Sequence, residues 1–220
     1  MFGKTKALAK AAHFGPTLLI TTISFILATL LSQISTALGI AFTVFLGQLI
    51  IGWSNDIYDY QDDLKHNRQN KPLVNGQLTV SSLTRTTFLL LPIAIIANLI
   101  GPLGFKGGAV YLLGVGCGIA YNFYFKFSPL SPLPYFIALP ALPASIFYAV
   151  DKAPPLWVLA TSSLLGVAFH FANVLKDLSA DRQSFIGGLP QRAGKKVSIG
   201  IIALLLIIVV VILMNSPIFN

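Results

Sequence analysis

Charged residues are scarce in this chain, and cysteine is almost absent. Lys, Arg, Asp and Glu together make up 10% of the 220 residues, while 55% are hydrophobic and the mean hydropathy is +0.78. A typical soluble domain is about 25% charged, so an ordinary soluble protein is excluded. The single cysteine, Cys117, excludes an intramolecular disulfide and a thiolate metal cluster. The composition therefore predicts a polytopic membrane protein.

Acidic residues are the scarcest charged type, and they are not spread evenly. The chain has seven, all of them aspartate, and no glutamate. Four lie within residues 56–63, Asp177 and Asp181 form a second group, and Asp151 stands alone. Carboxylates are unfavourable at a membrane boundary, so two such clusters indicate a binding role, most simply for a divalent metal ion.

About seven apolar segments predict an all-α transmembrane helix bundle that forms one domain over residues 1–220. Each is close to the ~20 residues that a bilayer core requires. Their limits are 15–33, 37–54, 86–104, 108–125, 133–150, 155–175 and 197–214. With a cytoplasmic N-terminus, thirteen of the fifteen Lys and Arg residues lie inside, and only Lys106 and Lys152 lie outside. Multi-pass insertion without a cleavable signal predicts a prokaryotic plasma membrane, with an organelle membrane as the alternative.

The first acidic cluster follows a helical period. If the second span continues as a helix, one stripe holds Gln48, Asn55, Asp56, Asp59 and Asp63. We expect this stripe to face one cavity, with Asp62 pointing about 100° away from Asp63. The cations Lys65, Arg68 and Lys71 follow directly. Carboxylates that bind Mg²⁺ beside such cations suit a diphosphate group.

The sixth span ends in a second constellation with the same phasing. His170, Asn173, Asp177 and Asp181 are separated by three, four and four residues. A turn-rich basic stretch, 187–194, follows this cluster, as residues 71–76 follow the first one. Two similar units half a chain apart predict an internally repeated bundle around a central cavity.

Together these motifs resemble those of the UbiA superfamily of intramembrane prenyltransferases. Its first signature, Asn-Asp-x-x-Asp-x-x-x-Asp, is matched by Asn55, Asp56, Asp59 and Asp63, and the following basic residue and proline by Lys71-Pro72. Its second signature, Asp-x-x-x-Asp, is matched by Asp177 and Asp181, with Asn173 one turn earlier. The resemblance extends from the second span to the seventh.

The resemblance implies an Mg²⁺-dependent transferase that moves a prenyl group from an isoprenyl diphosphate to an aromatic or other lipophilic acceptor. It implies that Mg²⁺ is held by the catalytic residues Asp56, Asp59, Asp63, Asp177 and Asp181. It implies a diphosphate site made of Asn55, Arg68, Lys71, Tyr121, Lys126 and Asn173. The acceptor class stays open among quinone-ring precursors, tetrapyrroles, other aromatics and glycerol lipids, and no nucleic-acid partner is expected. Aromatic candidates for a carbocation-facing wall, which could equally be packing residues, are Tyr58, Tyr121, Phe123 and Tyr124.

Two departures keep alternatives open. Relatives usually have nine transmembrane helices, so this chain is either a short member or lacks the last two. Many relatives also have arginine where this chain has Lys71, which keeps the charge but loses the bidentate fork. The alternatives are a truncated non-catalytic or partner-dependent scaffold and a cation-coupled transporter.

Several single residues have two interpretations. Lys126 taken alone is more simply a flanking lysine than a phosphate contact. His170 could deprotonate an acceptor, although a hydrogen-bonded interior histidine is the simpler interpretation. His13 and His66 are expected at the surface.

Overall fold

The computed structural model describes residues 2–183 and 186–217, with side chains except at positions 2, 177 and 179–183. Within these ranges the chain forms helices and no strand. In order, they are α1 (Phe2–Ala11), α2 (Phe14–Thr29), α3 (Ile34–Lys65), α4 (Val80–Ile100), α5 (Gly104–Phe123), a 3₁₀ turn (Phe125–Phe127), α6 (Leu133–Ala149), α7 (Leu156–Gln183) and α8 (Leu189–Met214). The predicted all-α bundle is confirmed.

Helices α2 to α8 each overlap one predicted span, but fewer than seven are long and apolar enough to cross a membrane. By length and composition four described helices qualify, or five if the bent pair α1–α2 counts as one span. The shortfall has a local cause in two helices. Six of the twenty residues of α5 are glycine and one is Lys106, and α6 has 17 residues. The predicted count of seven spans is therefore too high by this criterion.

Helix α3 is the central element of the bundle. It packs against α2, α4 and α5, and α5–α6, α6–α7 and α7–α8 pack in turn. It also continues eleven residues past the predicted end of its apolar segment, to Lys65. This extension carries the whole first acidic cluster on regular helix. The apolar core between these helices includes Ala28, Ile40, Val44, Leu103, Tyr111, Leu142 and Ile146.

Large apolar side chains also cover the outside of the molecule. On α8, Leu206, Ile207, Val210 and Val211 are exposed, and α4 exposes Phe88, Leu89, Ile93 and Ile96. Soluble monomers rarely expose continuous apolar surface of this extent. The surface is that of a protein surrounded by lipid.

The chain bends sharply between α1 and α2. The two helices meet at 74°, and His13 at the bend has left-handed backbone angles, φ 52° and ψ 59°. Short α1 is anchored beside α3, because the indole Nε1 of Trp53 donates to the carbonyl oxygen of Leu8 at 2.9 Å. This bend at Ala12 and His13, called the elbow below, therefore lies directly against the helix that carries the first acidic cluster.

The second turn-rich stretch, 187–194, is different from the first. Residues 66–79 after α3 are irregular, whereas α8 already begins at Leu189 and is interrupted at Gly194, where φ is 78°. Pro190 suits the first turn of a helix, because its missing N–H has no intrahelical acceptor there. The predicted likeness of the two connecting stretches is thus wrong in detail.

Candidate functional site

A cavity of about 500 Å³ opens between α2, α3, α5, α6 and α7. Its polar end is formed by His13 at the α1–α2 bend, Asn55 and Asp59 on α3, Asn122 on α5 and Lys126 in the 3₁₀ turn. Its walls are largely apolar and include Ile20, Ile51, Val115, Leu139 and Leu142. At another point of the lining, Gln48 donates to the Tyr111 hydroxyl at 3.3 Å. The central cavity predicted from the two repeated units is present.

The acidic stripe on α3 does not face the cavity as a whole. Asp59 lines the cavity, whereas Asp56 and Asp63 are only 1% and 2% exposed and do not. At about 100° per residue, Asp59 lies within about 40° of Asn55, and Asp63 and Asp56 lie about 40–60° further round. The stripe is therefore wide enough for its two edges to contact different parts of the protein. The expectation of a ladder facing one cavity is corrected to one cavity-lining carboxylate beside two carboxylates under the 66–79 loop.

Asp56 is held through one of its two carboxylate oxygens. Its Oδ1 accepts from Lys71 Nζ at 2.6 Å and lies 3.0 Å from His13 Nε2. Its Oδ2 is buried and has no hydrogen-bond partner among the described residues. A buried carboxylate oxygen without a donor is unfavourable, so this oxygen is a candidate to bind a cation or a water molecule.

Asp63 is neutralised by the loop that follows α3. Arg68 Nη1 donates to its Oδ1 at 2.7 Å, and Lys71 Nζ lies 3.8 Å from its Oδ2. Lys71 thus bridges Asp56 and Asp63. Asp62 points elsewhere, as predicted, and its carboxylate lies 3.3 Å from His66 Nδ1 and 3.5 Å from Arg68 Nη2.

Asp59 receives one donor from the 3₁₀ turn after α5 and one from its own helix. Lys126 Nζ donates to its Oδ1, and Asn55 Nδ2 donates to its Oδ2 at 3.0 Å. Lys126 is 4% exposed and its ammonium lies 4.7 Å over the Tyr58 ring. The simpler interpretation of Lys126 as a flanking lysine is wrong, because the residue is buried and paired at the cavity.

Two residues at the site were missed by sequence reasoning. Asn122 accepts from Asn55 Nδ2 at 3.3 Å and donates to Ile51 O and Ser54 Oγ, both at 3.1 Å. A polar residue at the end of the fourth predicted span was the available signal for it. His13 was expected at the surface, yet its partly exposed ring contacts Asp56 and lines the cavity. No pattern in the sequence signalled that contact.

Among the candidate aromatic residues, Tyr121 lines the cavity, 5.1 Å from Tyr135 in an edge-to-face arrangement. The Tyr58 and Phe123 rings pack on each other at 4.9 Å, and Tyr124 is largely exposed. Neither Tyr58, Phe123 nor Tyr124 contributes to the lining. For these three, packing or surface placement is the better interpretation.

The second constellation is only partly described. Asn173 lines the cavity, while the side chains of Asp177 and Asp181 lie outside the described residues. His170 is fully buried, with its Nε2 2.9 Å from Ser131 Oγ, which also accepts the Leu189 N–H at 2.9 Å. The ring therefore ties α7 to the start of α8, and it does not line the cavity. This placement favours the structural interpretation of His170 over base catalysis.

The residues at the polar end fit a hard divalent cation by donor chemistry. Among the side chains that the structure describes, no three acidic, histidine or cysteine groups already converge as a metal site. Each of the three carboxylates is instead paired with Lys71, Arg68 or Lys126. The partnerless Oδ2 of Asp56 and the all-oxygen carboxylate set suit Mg²⁺, which prefers oxygen ligands.

The sequence and the fold were compared with those of known proteins. The sequence matches the model of the UbiA prenyltransferase family over residues 17–219. No curated protein sequence matches the chain.

Solved structures share the fold at low identity. A UbiA homolog from Archaeoglobus fulgidus, bound to GPP and Mg²⁺, has a TM-score of 0.79 at 15% identity, over 94% of this chain and 76% of that one. A digeranylgeranylglyceryl phosphate synthase structure gives 0.72 at 19%, over 95% and 76%. A UbiA homolog from Aeropyrum pernix K1 gives 0.70 at 17%, over 96% and 78%. Since the family model covers nearly the whole chain, the protein belongs to the UbiA prenyltransferase family.

Proposed function

We propose that this chain transfers a prenyl group from an isoprenyl diphosphate to an aromatic or other lipophilic acceptor, with Mg²⁺. The observation that carries the proposal is the charge pattern at the cavity. Three carboxylates, each already paired with a cation, adjoin a chamber whose remaining walls are largely apolar. Such a site suits a molecule with a multiply charged head and a hydrocarbon tail.

The carboxylates and the cations have different roles at the diphosphate head group. Mg²⁺ would be held by Asp56, Asp59 and Asp63 together with Asp177 and Asp181, and would neutralise the diphosphate so that it leaves more readily. Arg68, Lys71 and Lys126 supply positive charge to the phosphate oxygens. Asn55, Tyr121 and Asn173 line the same cavity and are proposed to orient the diphosphate.

Lys71 and Lys126 have the arrangement that a diphosphate-binding cation requires. Both ammonium groups are held by carboxylates that Mg²⁺ would also bind. A ligand that brings its own negative charge offers each lysine a second partner without a new charge being buried alone. Each lysine would therefore have an anionic partner both before and after the donor binds.

The apolar walls protect the reacting carbon from water. Ile20, Ile51 and Val115 surround a chamber in which an allylic carbocation would meet hydrocarbon, and Tyr121 offers an aromatic ring. Exclusion of water favours the lipophilic acceptor over hydrolysis. The GPP bound by the Archaeoglobus fulgidus homolog supports an isoprenyl diphosphate as donor. The digeranylgeranylglyceryl phosphate synthase of the same fold supports a lipophilic acceptor.

For the membrane setting we propose a plasma membrane with the N-terminus in the cytoplasm. The support is the distribution of Lys and Arg, thirteen of fifteen on one side of the predicted topology. The carboxylates would then face cytoplasmic Mg²⁺ and donor. Protease protection of an N-terminal tag in oriented vesicles tests the orientation.

Turnover tests the proposed activity. Purified protein in lipid is incubated with C10, C15 and C20 isoprenyl diphosphates, with and without Mg²⁺, and released diphosphate is measured along with donor binding. Asp56→Asn, which keeps the size of the side chain, is the control. Mg²⁺-dependent release by the wild type alone is expected. Absence of both donor binding and release would contradict the proposal and favour a scaffold or a transporter.

A further inference from the structure

The elbow between α1 and α2 brings an imidazole onto the first carboxylate of the site. His13 Nε2 lies 3.0 Å from Asp56 Oδ1, on a residue whose φ is 52°. Non-glycine residues with positive φ are uncommon and persist where the surrounding structure imposes them. His13 also precedes residue 17, where the family match begins.

Close packing against α3 imposes the elbow. A Cβ on Gly52 would lie 2.5 Å from the carbonyl carbon of Ala12 and 2.7 Å from its Cα, so only glycine permits this approach. Thr17 Oγ1 donates to Ala12 O at 2.7 Å. Because Gly52 and Asp56 are four residues apart on one helix, the contact at Gly52 brings the next residue, His13, beside Asp56.

Ala7, Ala11 and Ala12 fix the other side of the elbow. All three are at most 1% exposed and pack with Trp53 and Leu73 in one apolar cluster. Leu73 belongs to the loop that also supplies Lys71. This apolar cluster therefore positions both residues that contact Asp56 Oδ1, His13 and Lys71.

The contact has a consequence for the second oxygen of Asp56. His13 and Lys71 both occupy Oδ1, while Oδ2 is buried and has no partner among the described residues. The two nitrogens, His13 Nε2 and Lys71 Nζ, lie 3.3 Å from each other, and their contacts with Oδ1 restrict the rotation of the carboxylate group. His13 lines the cavity, so the imidazole contacts Asp56 from the cavity side of the bend.

We propose that His13 is a positioning residue that fixes the Asp56 carboxylate through Oδ1 and thereby keeps Oδ2 available for the divalent cation. The inference rests on the proposed function, because it assumes that Asp56 is a metal ligand. Partners that orient a metal ligand matter nearly as much as the ligand itself, and their loss weakens metal affinity by about 10–100-fold.

Binding of Mn²⁺ to the purified full-length protein in lipid, measured by electron paramagnetic resonance, tests this role without turnover. His13→Gly keeps the positive φ but removes the imidazole, and it is expected to weaken Mn²⁺ binding by about tenfold. His13→Gln places an amide nitrogen near the position of Nε2 and is expected to restore most of the affinity. His13→Asn, which tolerates positive φ but does not reach, should resemble His13→Gly and replaces it if glycine loosens the elbow.

A substitution on α3 tests the contact between His13 and Asp56 independently. Gly52→Ala displaces the elbow without touching His13, and it should weaken Mn²⁺ binding as His13→Gly does. Thermal unfolding of every variant is measured in parallel. A purely structural role would lower the unfolding temperature of His13→Gly and His13→Gln alike, with no selective rescue by glutamine.

The outcomes separate the two proposals. Unchanged or tighter Mn²⁺ binding by folded His13→Gly overturns the positioning role. Tighter binding would mean that His13 hinders the approach of the cation to Asp56. Wild-type Mn²⁺ binding by Asp56→Asn would instead overturn the metal role of Asp56, on which the proposed function depends.

Discussion

Lys126 and Asp59 form a part-buried ion pair that joins the 3₁₀ turn after α5 to α3, across 67 residues of sequence. Lys126 follows the predicted fourth span, and a lysine in that position would be expected to extend toward the membrane surface. The ammonium is instead drawn inward by Asp59 and by the Tyr58 ring, 4.7 Å away. A cation fixed at the cavity in this way is available to a diphosphate group.

Lys126→Met is therefore expected to slow diphosphate release by about 100-fold, because it removes a preorganised charge from the leaving group. Initial rates at saturating donor measure the effect. Lys106→Met is the matched control, since Lys106 lies over the Tyr148 ring at 4.1 Å and does not line the cavity. Equal losses in the two variants would contradict the role of Lys126.

Lys71→Met is expected to destabilise the fold, because Lys71 bridges two buried carboxylates. Breaking a buried pair costs about 3–5 kcal/mol, and we expect the low end, since His13 and Arg68 remain. Thermal unfolding measures the loss. The double variant Lys71→Met/Asp56→Asn should recover part of the stability, and a double variant no more stable than the single one would contradict this account.

Asn122→Ala tests the amide network beneath Asp59. The substitution leaves Asn55 without its 3.3 Å acceptor and Ser54 without its 3.1 Å donor. We expect donor affinity to fall by about tenfold, the equivalent of about one charge-assisted hydrogen bond. Titration with a non-reactive thiolodiphosphate donor analogue measures this affinity. Asn215→Ala, at the C-terminal end of α8, is the control that should bind as the wild type does.

Ala138→Leu tests the cavity as the site of the prenyl tail. Ala138 lines the chamber, so the larger side chain removes space from it. We expect the preference among C10, C15 and C20 donors to shift toward the shortest, as judged by kcat/KM. The same substitution at Ala203, which is exposed on α8, should leave the preference unchanged. An identical shift in both would indicate an indirect effect.

Sequence reasoning predicted the helical class from composition and the family from the two aspartate motifs, because both are local features of the chain. Continuation of the helix to Asp63 was the condition for the predicted stripe, and α3 meets it by extending to Lys65. The division of the stripe did not follow, because a face about 100° wide can meet two environments. Which edge meets the cavity depends on where α2, α5 and the 66–79 loop pack.

The contacts of His13 and Lys126 were beyond reach for a different reason. Each joins segments far apart in sequence, 43 residues for His13–Asp56 and 67 for Lys126–Asp59. His13 also depends on a positive φ that an L-residue seldom adopts, and on the missing side chain of Gly52. Neither condition has a periodic signature. Both arise only from tertiary packing.

The most direct test of the central claim is the Mg²⁺-dependent affinity for a non-reactive thiolodiphosphate donor analogue, measured by calorimetry. Asp56→Asn and Asp62→Asn are compared, since both lie on α3 but Asp62 is partly exposed and is not a proposed metal ligand, whereas Asp56 is buried. The account predicts that Asp56→Asn loses the Mg²⁺-dependent part of the affinity and that Asp62→Asn keeps it. Retention of that part by Asp56→Asn, or an equal loss in both variants, would contradict it.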